Sequence, residues 1–475
     1  MEKSTLWSLR LGFSTKQAEV IQKKGINEFL QNSFYATFDL SQPAFLSDVN
    51  QSLADFKTVR NMLKTATDEE KKILLKKEIK ANVTLKSWWI DKMRDSQFPL
   101  REKMVGFWQN HFVVTSQKVK SSYWIFQHNN LLRENAFGNF RELTKKVVYS
   151  NAMLRYLDNV ENKKDKINEN LSRELLELFT IGIGNYSEED IKNGAKALAG
   201  LNLGEEQGMY RKFQEDNSLK TFFNKSGNFK ANDIIDIIFE QKQTAYLLTK
   251  KILKWFIYDN PSQDLVTYYG DFLRKVDYEI QPFLEKIFTE EYTKNTEGSK
   301  IKNPLEYILP ILETLNSKSV RSIAIYTFLK QQGMDLYNQV NVKGWDGGNS
   351  WLTSQVYLQR NNIADALCNG RTIFTKQQSE GEIMQNQIQE SMQTSDNKTK
   401  KEVTTKFKID FDINGTNKKI IADLALNSLF QINSEVQEDM EAILKYDFNP
   451  KEESADYAVN RLYNYIVKLP EFQLI

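Results

Sequence analysis

Apolar residues recur at three- and four-residue spacing along most of this chain of 475 residues, and only eight prolines interrupt them. This spacing places apolar side chains on one face of a helix. Because proline disrupts the interior of a helix, its scarcity leaves the pattern continuous over long segments. The sequence therefore predicts an all-α fold, a multi-helix globular array of about fifteen to twenty helices with a minor β-hairpin.

Polar blocks interrupt this pattern between residues 101 and 201. In the last block Asn170, Glu174 and Glu177 stand at i, i+4 and i+7, on one stripe of a predicted helix. Arg173 lies beside them. An unpaired buried charge costs several kcal/mol, so a buried stripe of this kind must be fully paired. The stripe predicts either a structural acid-arginine network or the wall of a pocket.

His111 is one of only two histidines, and its spacing from neighbouring aromatic residues puts it on the apolar face of a helix. One interpretation is a core histidine satisfied by a hydrogen bond. The other is a functional imidazole, because neutral imidazole relays protons. On the second interpretation His111, Glu174 and Glu177 are candidate catalytic residues, with Asn110 and Asp158 as candidate binding residues beside them.

The glycine-rich segment 341–351 carries Trp345, Asp346 and Trp351. Tryptophans in such a loop can stack on sugar rings or bases, with Asp346 as a hydrogen-bonding partner. Alternatively, the glycines permit positive φ angles and the tryptophans fill the core beneath the loop. Both interpretations stay open, and all three residues are candidate binding residues together with Asn170 and Arg173.

Several motifs resemble signatures of a known family. They are WQNHF (108–112), YLDN with NEN..RELLELFT.G.GNY.E.D (156–190), KTF with GNF (220–229), NVKGWDGG..W (341–351) and LPEFQL (469–474). They are similar to motifs of the bacterial family called domain of unknown function 1800. The resemblance spans nearly the whole chain and bears on the fold more than on the function, because the activity of that family is unknown.

The chain departs from this family at three places, which indicates a diverged member. Glu215 and Asp216 stand where the family often has His-Asp, Met334 stands where glutamine is common, and Gln339-Val340 replace a Pro-Pro pair. The lost histidine argues against zinc, and the chain has no Glu-x-x-His pair of the kind that bundle metal sites use. We therefore predict no metal and no cofactor.

The overall charge excludes some classes of partner. With 64 basic and 62 acidic residues the net charge is +2, which creates no field to hold nucleic acid. No window approaches about eighteen consecutive apolar residues, so we expect no membrane span and a soluble monomer. The first residues contain no apolar run of signal-peptide length, which predicts a cytoplasmic protein, although export of a longer precursor stays open.

Three segments are expected. Residues 1–375 form a main helical domain with the polar cluster at 101–201. Residues 376–419 form a mobile insertion with a short hairpin, because 376–402 is polar and 406–413 alternates apolar and polar residues before Asn414-Gly415. Residues 420–475 form C-terminal helices that pack back on the main domain.

No phosphate-binding loop, Gly-x-Ser-x-Gly elbow, His-Glu-x-x-His motif or Rossmann fingerprint is present, so no motif identifies a reaction. Two functions remain open. The first is a binding or scaffold protein with a structural acid-arginine network, whose partner is another protein or a cell-envelope glycan. The second is a hydrolase or transferase with Glu174 or Glu177 as general base and His111 as proton shuttle. Convergence of these side chains on an open pocket would favour the enzyme.

Overall fold

The computed structural model describes residues 1–370, 407–445 and 448–475. Within these ranges the chain forms 22 α-helices and two small antiparallel strand pairs, so the prediction of an all-α fold is confirmed. The helices are more numerous than expected, because several have only four to six residues. Helices that short carry no periodic pattern in the sequence.

The first ten helices occupy the chain up to residue 156. They are α1 (Lys3–Leu11), α2 (Ala18–Lys24), α3 (Ile26–Tyr35), α4 (Leu53–Thr65), α5 (Asp68–Asp95), α6 (Leu100–His111), α7 (Ser116–Val119), α8 (Ser122–Glu134), α9 (Phe140–Val148) and α10 (Asn151–Tyr156). Capping boxes start α4 and α5, where Ser52 pairs with Asp55 and Thr67 pairs with Glu70.

Helix α6 lies at the centre of the molecule, because every residue from Leu100 to Gln109 is buried. It packs against α3, α5 and α8. A helix that is buried all round needs partners for its charged groups. Glu102 accepts from Arg133 at 2.6 and 2.9 Å, and the indole of Trp89 donates to it at 2.9 Å. This buried acid–arginine pair differs from the predicted one, since the sequence places the acid-arginine network around Arg173 and Glu174.

The middle of the chain combines helices with short strands. Its helices are α11 (Asn170–Glu174), a π-helix (Leu175–Thr180), α12 (Glu188–Leu198), α13 (Ala231–Phe239), α14 (Lys242–Phe256), α15 (Gln263–Lys275) and α16 (Ile280–Tyr292). Strand β1 (Leu201–Asn202) pairs with β2 (Met209–Tyr210), and β3 (Lys220–Phe222) pairs with β4 (Lys225–Gly227). A capping box of Ser187 and Asp190 starts α12.

The short hairpin expected within 376–419 stays a prediction, because most of that segment lies outside the described residues. Residues 407–412 pair with no other strand in the described part of the chain. Phe407 and Ile409 are nevertheless buried, and the side-chain amide of Asn460 donates to Phe407 O at 2.9 Å. The alternating pattern therefore reflects an extended segment with one buried face. Residues 376–402 lie outside the described residues, so the mobile insertion stays a prediction.

The last helices are α17 (Pro304–Thr314), α18 (Ser322–Gln331), α19 (Ser354–Cys368), α20 (Asn417–Leu426), α21 (Ser434–Ile443) and α22 (Ala455–Lys468). Helix α22 packs on α19. The terminal residue Ile475 exchanges two backbone hydrogen bonds with Lys300, at 3.0 and 2.8 Å. These bonds hold the segment before α17 in place, and that segment borders the cleft described below.

No helix in the described ranges is both long enough and apolar enough to cross a membrane. Even α5, with 28 residues, carries charged side chains along its length. The single cysteine, Cys368, is buried and free.

Candidate functional site

The helix that carries the predicted acidic stripe changes its winding after Glu174. Leu175–Thr180 is a π-helix, and Ile181 N donates to Leu176 O, five residues back, at 3.1 Å. Short π-helical turns inside α-helices are frequent at functional sites. Here the carbonyls of Leu178 and Phe179, in the last turn, accept hydrogen bonds from side chains on other helices.

His111 ends α6, and both of its ring nitrogens have partners. Nε2 lies 2.9 Å from Phe179 O, and because a carbonyl oxygen only accepts, Nε2 carries the proton. Nδ1 is then an acceptor, and it lies 3.3 Å from Lys251 Nζ. Burial, together with the charge of Lys251, holds the pKa of His111 well below its ordinary value. The imidazole is therefore neutral and its tautomer is fixed.

Lys251 on α14 is a site residue that the sequence analysis missed. Its Nζ donates to Leu178 O at 2.7 Å, and burial lowers its pKa to about 8. No carboxylate of the described residues forms an ion pair with it. Lys250 and Lys254 on the same helix are exposed, so in the sequence Lys251 resembles its solvated neighbours. Its environment depends on α6 and the π-helix, and spacing within α14 carries no signal of that.

These groups border a cleft of about 240 Å³ whose wall combines aromatic and charged side chains. The aromatic ones are Phe107, Trp255, Trp345 and Trp351, and the charged ones are Lys251, Lys254, Lys300, Lys343, Asp259 and Asp346. Four lysines face two carboxylates, so the wall has an excess of positive charge. Burial raises the pKa of Asp259, whose carboxylate accepts from Ile301 N at 2.8 Å.

Asn110 fixes the glycine-rich loop 341–351 as one wall of the cleft. Its side-chain oxygen accepts from Trp345 N at 2.7 Å. Gly344 has φ +86°, and a Cβ there would lie 2.3 Å from Asn110 Oδ1. Only glycine permits this approach. At the other side of the loop, Lys254 donates to Asp346 O at 2.8 Å.

Trp345 and Trp351 take part in both roles that the sequence left open. Their side chains are 8% and 6% exposed, so most of each ring fills the core beneath the loop. Both rings also line the cleft. The indole N–H groups of Trp345 and Trp255 are both buried, and neither has a hydrogen-bond partner among the described residues. Buried donors without a partner are rare, because the missing hydrogen bond costs free energy.

The structure therefore brings together five of the ten candidate residues. The ones that line the cleft are Asn110, His111, Trp345, Asp346 and Trp351. The ones that do not are Asp158, Asn170, Arg173, Glu174 and Glu177.

Arg173 forms an ion-pair cluster near the surface. It lies 3.0 Å from Glu169, 3.5 Å from Glu177 and 3.2 Å from Glu188, and its side chain is 35% exposed. Hydrogen bonding to Glu188 raises the pKa of Arg173. Tyr186 donates to Glu177 at 2.5 Å. Solvent-exposed ion pairs contribute about 0–1 kcal/mol, so this cluster adds little to stability.

The side chain of Glu174 is half-buried, and its carboxylate makes no hydrogen bond with any described residue. Burial and the charge of Glu177 raise its pKa, while Arg173 and Lys343 oppose the shift. Since Lys343 belongs to the cleft wall, it provides an electrostatic link between the acidic stripe and the cleft.

Asp158 and Asn170 have local structural roles. Asp158 adopts a left-handed backbone with φ 56°, and its carboxylate pairs with Lys118 at 2.9 Å. Asn170 is exposed at the start of α11, where its backbone N–H donates to the side chain of Asn168 at 3.0 Å.

A buried charge cluster lies behind Lys300. Glu306 is 2.9 Å from Lys103 Nζ and also accepts from Lys300. Burial alone would raise the pKa of Glu306, but these two lysines lower it to about 2. Burial lowers the pKa of Lys302 to about 7 and that of Lys103 to about 8. Lys103 and Lys300 thus contact Glu306 directly, and Lys302 interacts with it only electrostatically.

The described residues contain no group of three or more His, Cys, Asp or Glu side chains arranged to hold a metal ion. Glu215, at the position where the resemblance implies a histidine, forms an ion pair with Lys230 at 2.9 Å.

The fold and the cleft define a class: an all-α protein with an electropositive, tryptophan-lined cleft at the end of its central helix. The chain belongs to the family described as Protein of unknown function (DUF1800), whose family model matches residues 6–474. The resemblance seen in the sequence motifs is thereby confirmed. No curated protein and no solved structure matches the chain.

Proposed function

We propose that this protein is a binding protein that holds a small anionic sugar, such as an acidic sugar unit of a cell-envelope glycan, in the cleft beside His111. The observation that carries the proposal is that the rings of Trp345 and Trp351 and the four lysines share one cleft. Its volume of about 240 Å³ suits a ligand of about one sugar ring. Acidic sugars combine an apolar ring face with a carboxylate, and the cleft offers a surface for each.

The charges around the cleft favour an anion. Lys343 is exposed on the wall and forms no ion pair with a carboxylate in the described ranges, which leaves its ammonium available to a ligand. Behind the wall, Lys103, Lys300 and Lys302 outnumber Glu306. An anion bound in the cleft stabilises the charged forms of these lysines, because an opposite charge nearby favours ionisation.

The aromatic side chains support a ring-shaped ligand. Indole rings bury apolar area and offer a polar N–H at one edge, which suits a molecule with an apolar face and hydroxyl groups. The N–H groups of Trp345 and Trp255 lack partners among the described residues, and they are therefore candidate donors to a sugar hydroxyl after a small shift of either ring.

The hydrolase or transferase mechanism has less support. A general base must come within hydrogen-bond reach of the substrate, and neither Glu174 nor Glu177 lines the cleft. The Nε2–H of His111 donates a hydrogen bond to Phe179 O. Because burial holds the pKa of His111 well below its ordinary value, the ring does not take up a second proton at neutral pH. Binding is the function that these positions favour.

Calorimetric titration with a matched pair of sugars tests the proposal. N-acetylmuramic acid carries a carboxylate that N-acetylglucosamine lacks. We expect the acidic sugar to bind about tenfold more tightly or better, which corresponds to about 1.4 kcal/mol, and its affinity to fall with added salt. Equal affinity for both sugars, or no binding of the acidic one, would contradict the proposal.

Two lysine variants locate the binding site. Lys343→Ala removes a cation from the cleft wall, and we expect it to weaken binding of N-acetylmuramic acid about two- to fivefold, as the loss of an exposed ion pair does. Lys275→Ala removes an exposed lysine of α15, outside the cleft, and serves as the matched control. An equal effect of both substitutions would place binding elsewhere.

A further inference from the structure

We propose that Lys251 is an amine nucleophile, which forms an imine with the carbonyl group of an aldehyde or ketone bound in the cleft, such as a sugar in its open-chain form. The inference deepens the proposed function, since it rests on the same cleft. It assigns a covalent step to a side chain that sugar binding alone does not require.

The first support is the position of the amine. Lys251 lines the cleft from α14, and its side chain is half-buried. A ligand against Trp345 and Trp351 therefore lies beside the amine, because the three residues border the same small volume. Proximity of this kind converts a bimolecular addition into an effectively intramolecular one.

The second support is the pattern of partners around Nζ. A neutral amine has two N–H bonds and one lone pair, whereas an ammonium has three N–H bonds. Two acceptors lie within reach, Leu178 O at 2.7 Å and His111 Nδ1 at 3.3 Å. These two acceptors take the two N–H bonds of the neutral amine, which is the minor form at pH 7 for a pKa of about 8, and the lone pair of that form stays available for attack.

The third support is the contrast with other buried lysines. Lys103 and Lys300 each pair with Glu306, and Lys86 pairs with Asp335 at 2.5 Å. Lys251 has no such partner in the described ranges, although Asp259 and Asp346 belong to the same wall. Burial lowers the pKa of Lys251 to about 8.

The step balances without a co-reactant. The lone pair of Lys251 Nζ attacks the carbonyl carbon, a C–N bond forms, and the carbonyl π electrons move to oxygen, which gives a carbinolamine after proton transfer. The nitrogen lone pair then expels the hydroxyl group as hydroxide, the C–O bond breaks, and the hydroxide takes the remaining proton from nitrogen. Amine and carbonyl thus give an imine and one water molecule. His111 stays neutral throughout, and its Nε2–H keeps donating to Phe179 O.

Reductive trapping tests the inference. The protein is incubated at pH 7 with glyceraldehyde and sodium cyanoborohydride, which reduces an imine to a stable secondary amine, and labelled lysines are located by peptide mass spectrometry. Lys250 and Lys254, exposed on the same helix, serve as internal controls. An ordinary lysine has a pKa of about 10.4, so we expect Lys251 to be labelled about tenfold faster or more. Labelling of Lys251 that is no faster than that of Lys250 would overturn the inference.

The pH profile gives a second, independent readout. The labelling rate of Lys251 is expected to level off above its pKa of about 8, whereas the rate of an ordinary lysine side chain continues to rise towards its reference pKa of about 10.4. Parallel profiles for all three lysines would contradict the inference. Lys251→Arg keeps a donor for Leu178 O and removes the imine, and Lys250→Arg is its control. Because glyceraldehyde has neither ring nor charge, failure here is distinguishable from failure of acidic-sugar binding.

Discussion

His111 and Phe179 are joined by a hydrogen bond of 2.9 Å between the imidazole Nε2 and the main-chain oxygen, across 68 positions of the chain. This contact joins the polar block around His111 to the block that contains Glu174 and Glu177. It uses a main-chain oxygen of the latter block, and the carboxylates of Glu174 and Glu177 take no part in it. Lys251 uses the neighbouring carbonyl, Leu178 O. The π-helix therefore supplies the cleft with oriented carbonyls, while Glu177 pairs with Arg173 near the surface.

The protonation state of His111 is open to direct measurement. We expect its ring to stay neutral, with the proton on Nε2, through the range around pH 6.5 where an ordinary imidazole titrates, because burial holds its pKa well below the ordinary value. Nitrogen-15 NMR of the two histidines reports both tautomer and charge, and His128→Gln assigns the signals. A titration of His111 with a midpoint near pH 6.5 would show that water reaches the imidazole, which contradicts its burial.

Glu306→Gln should destabilise the protein strongly. The substitution leaves Lys103 and Lys300 buried without their carboxylate, which costs about 3–5 kcal/mol for a buried pair. Urea denaturation at pH 7 measures the loss. Glu142→Gln is the control, because Glu142 pairs with Lys145 at 3.1 Å but is 58% exposed, and we expect it to cost less than about 1 kcal/mol. Similar losses for both variants would contradict a sealed cluster around Glu306.

The same carboxylate makes stability depend on pH. The pKa of Glu306 is about 2 in the folded protein against an ordinary value of 4.5, so the unfolded chain binds a proton first as the pH falls. The stabilisation from Glu306 is therefore complete above about pH 4.5 and is lost as the pH falls from 4.5 towards 2. Urea denaturation gives the free energy of unfolding at pH 6 and at pH 3. The difference between these two values should be smaller in Glu306→Gln than in the native protein.

Glu174→Gln should change stability by less than about 1 kcal/mol, and the change should favour folding at pH 7. The pKa of Glu174 is raised by burial and by Glu177, so its charged form is disfavoured in the folded state and a neutral amide removes that cost. Glu102→Gln, which breaks a buried pair with Arg133, is the contrasting variant and should lose about 3–5 kcal/mol. A loss above about 3 kcal/mol for Glu174→Gln would mean that the stripe is a buried network after all.

Gly344→Ala tests the contact between Asn110 and the glycine-rich loop. The added methyl group would meet Asn110 Oδ1 at 2.3 Å, in a backbone conformation with φ +86°. Gly333→Ala is a matched control, because Gly333 has φ +79° but nothing within 4 Å of the added carbon. Both variants carry backbone strain of about 1–3 kcal/mol, and only Gly344→Ala must also displace Asn110 and the loop. We expect this variant alone to weaken binding of N-acetylmuramic acid, and equal affinities in both variants would remove the loop from the site.

The sequence by itself determined the helical class, the family and part of the site. Helical periodicity and capping pairs such as Ser187 with Asp190 act within four residues, so they can be read along the chain. Asn110, His111 and Trp345 were recognisable because chemistry-bearing residues are concentrated in short motifs. The alternation at 406–413 was read as the strand of a short hairpin; Phe407 and Ile409 are buried there, but the pattern contained no information about a strand partner.

Tertiary structure decided which charged groups became the site. Lys251 and Lys250 are neighbours with the same side chain, yet the first lies against His111 and Leu178 O while the second is exposed. Glu306 has a lowered pKa and Glu174 a raised one because Lys103 and Lys300 come from other segments to surround the first. Desolvation and pairing depend on which helices pack together, and the distances that set them join residues far apart in the chain. Local spacing therefore predicts helices, whereas the protonation states of the cleft follow only from how those helices are assembled.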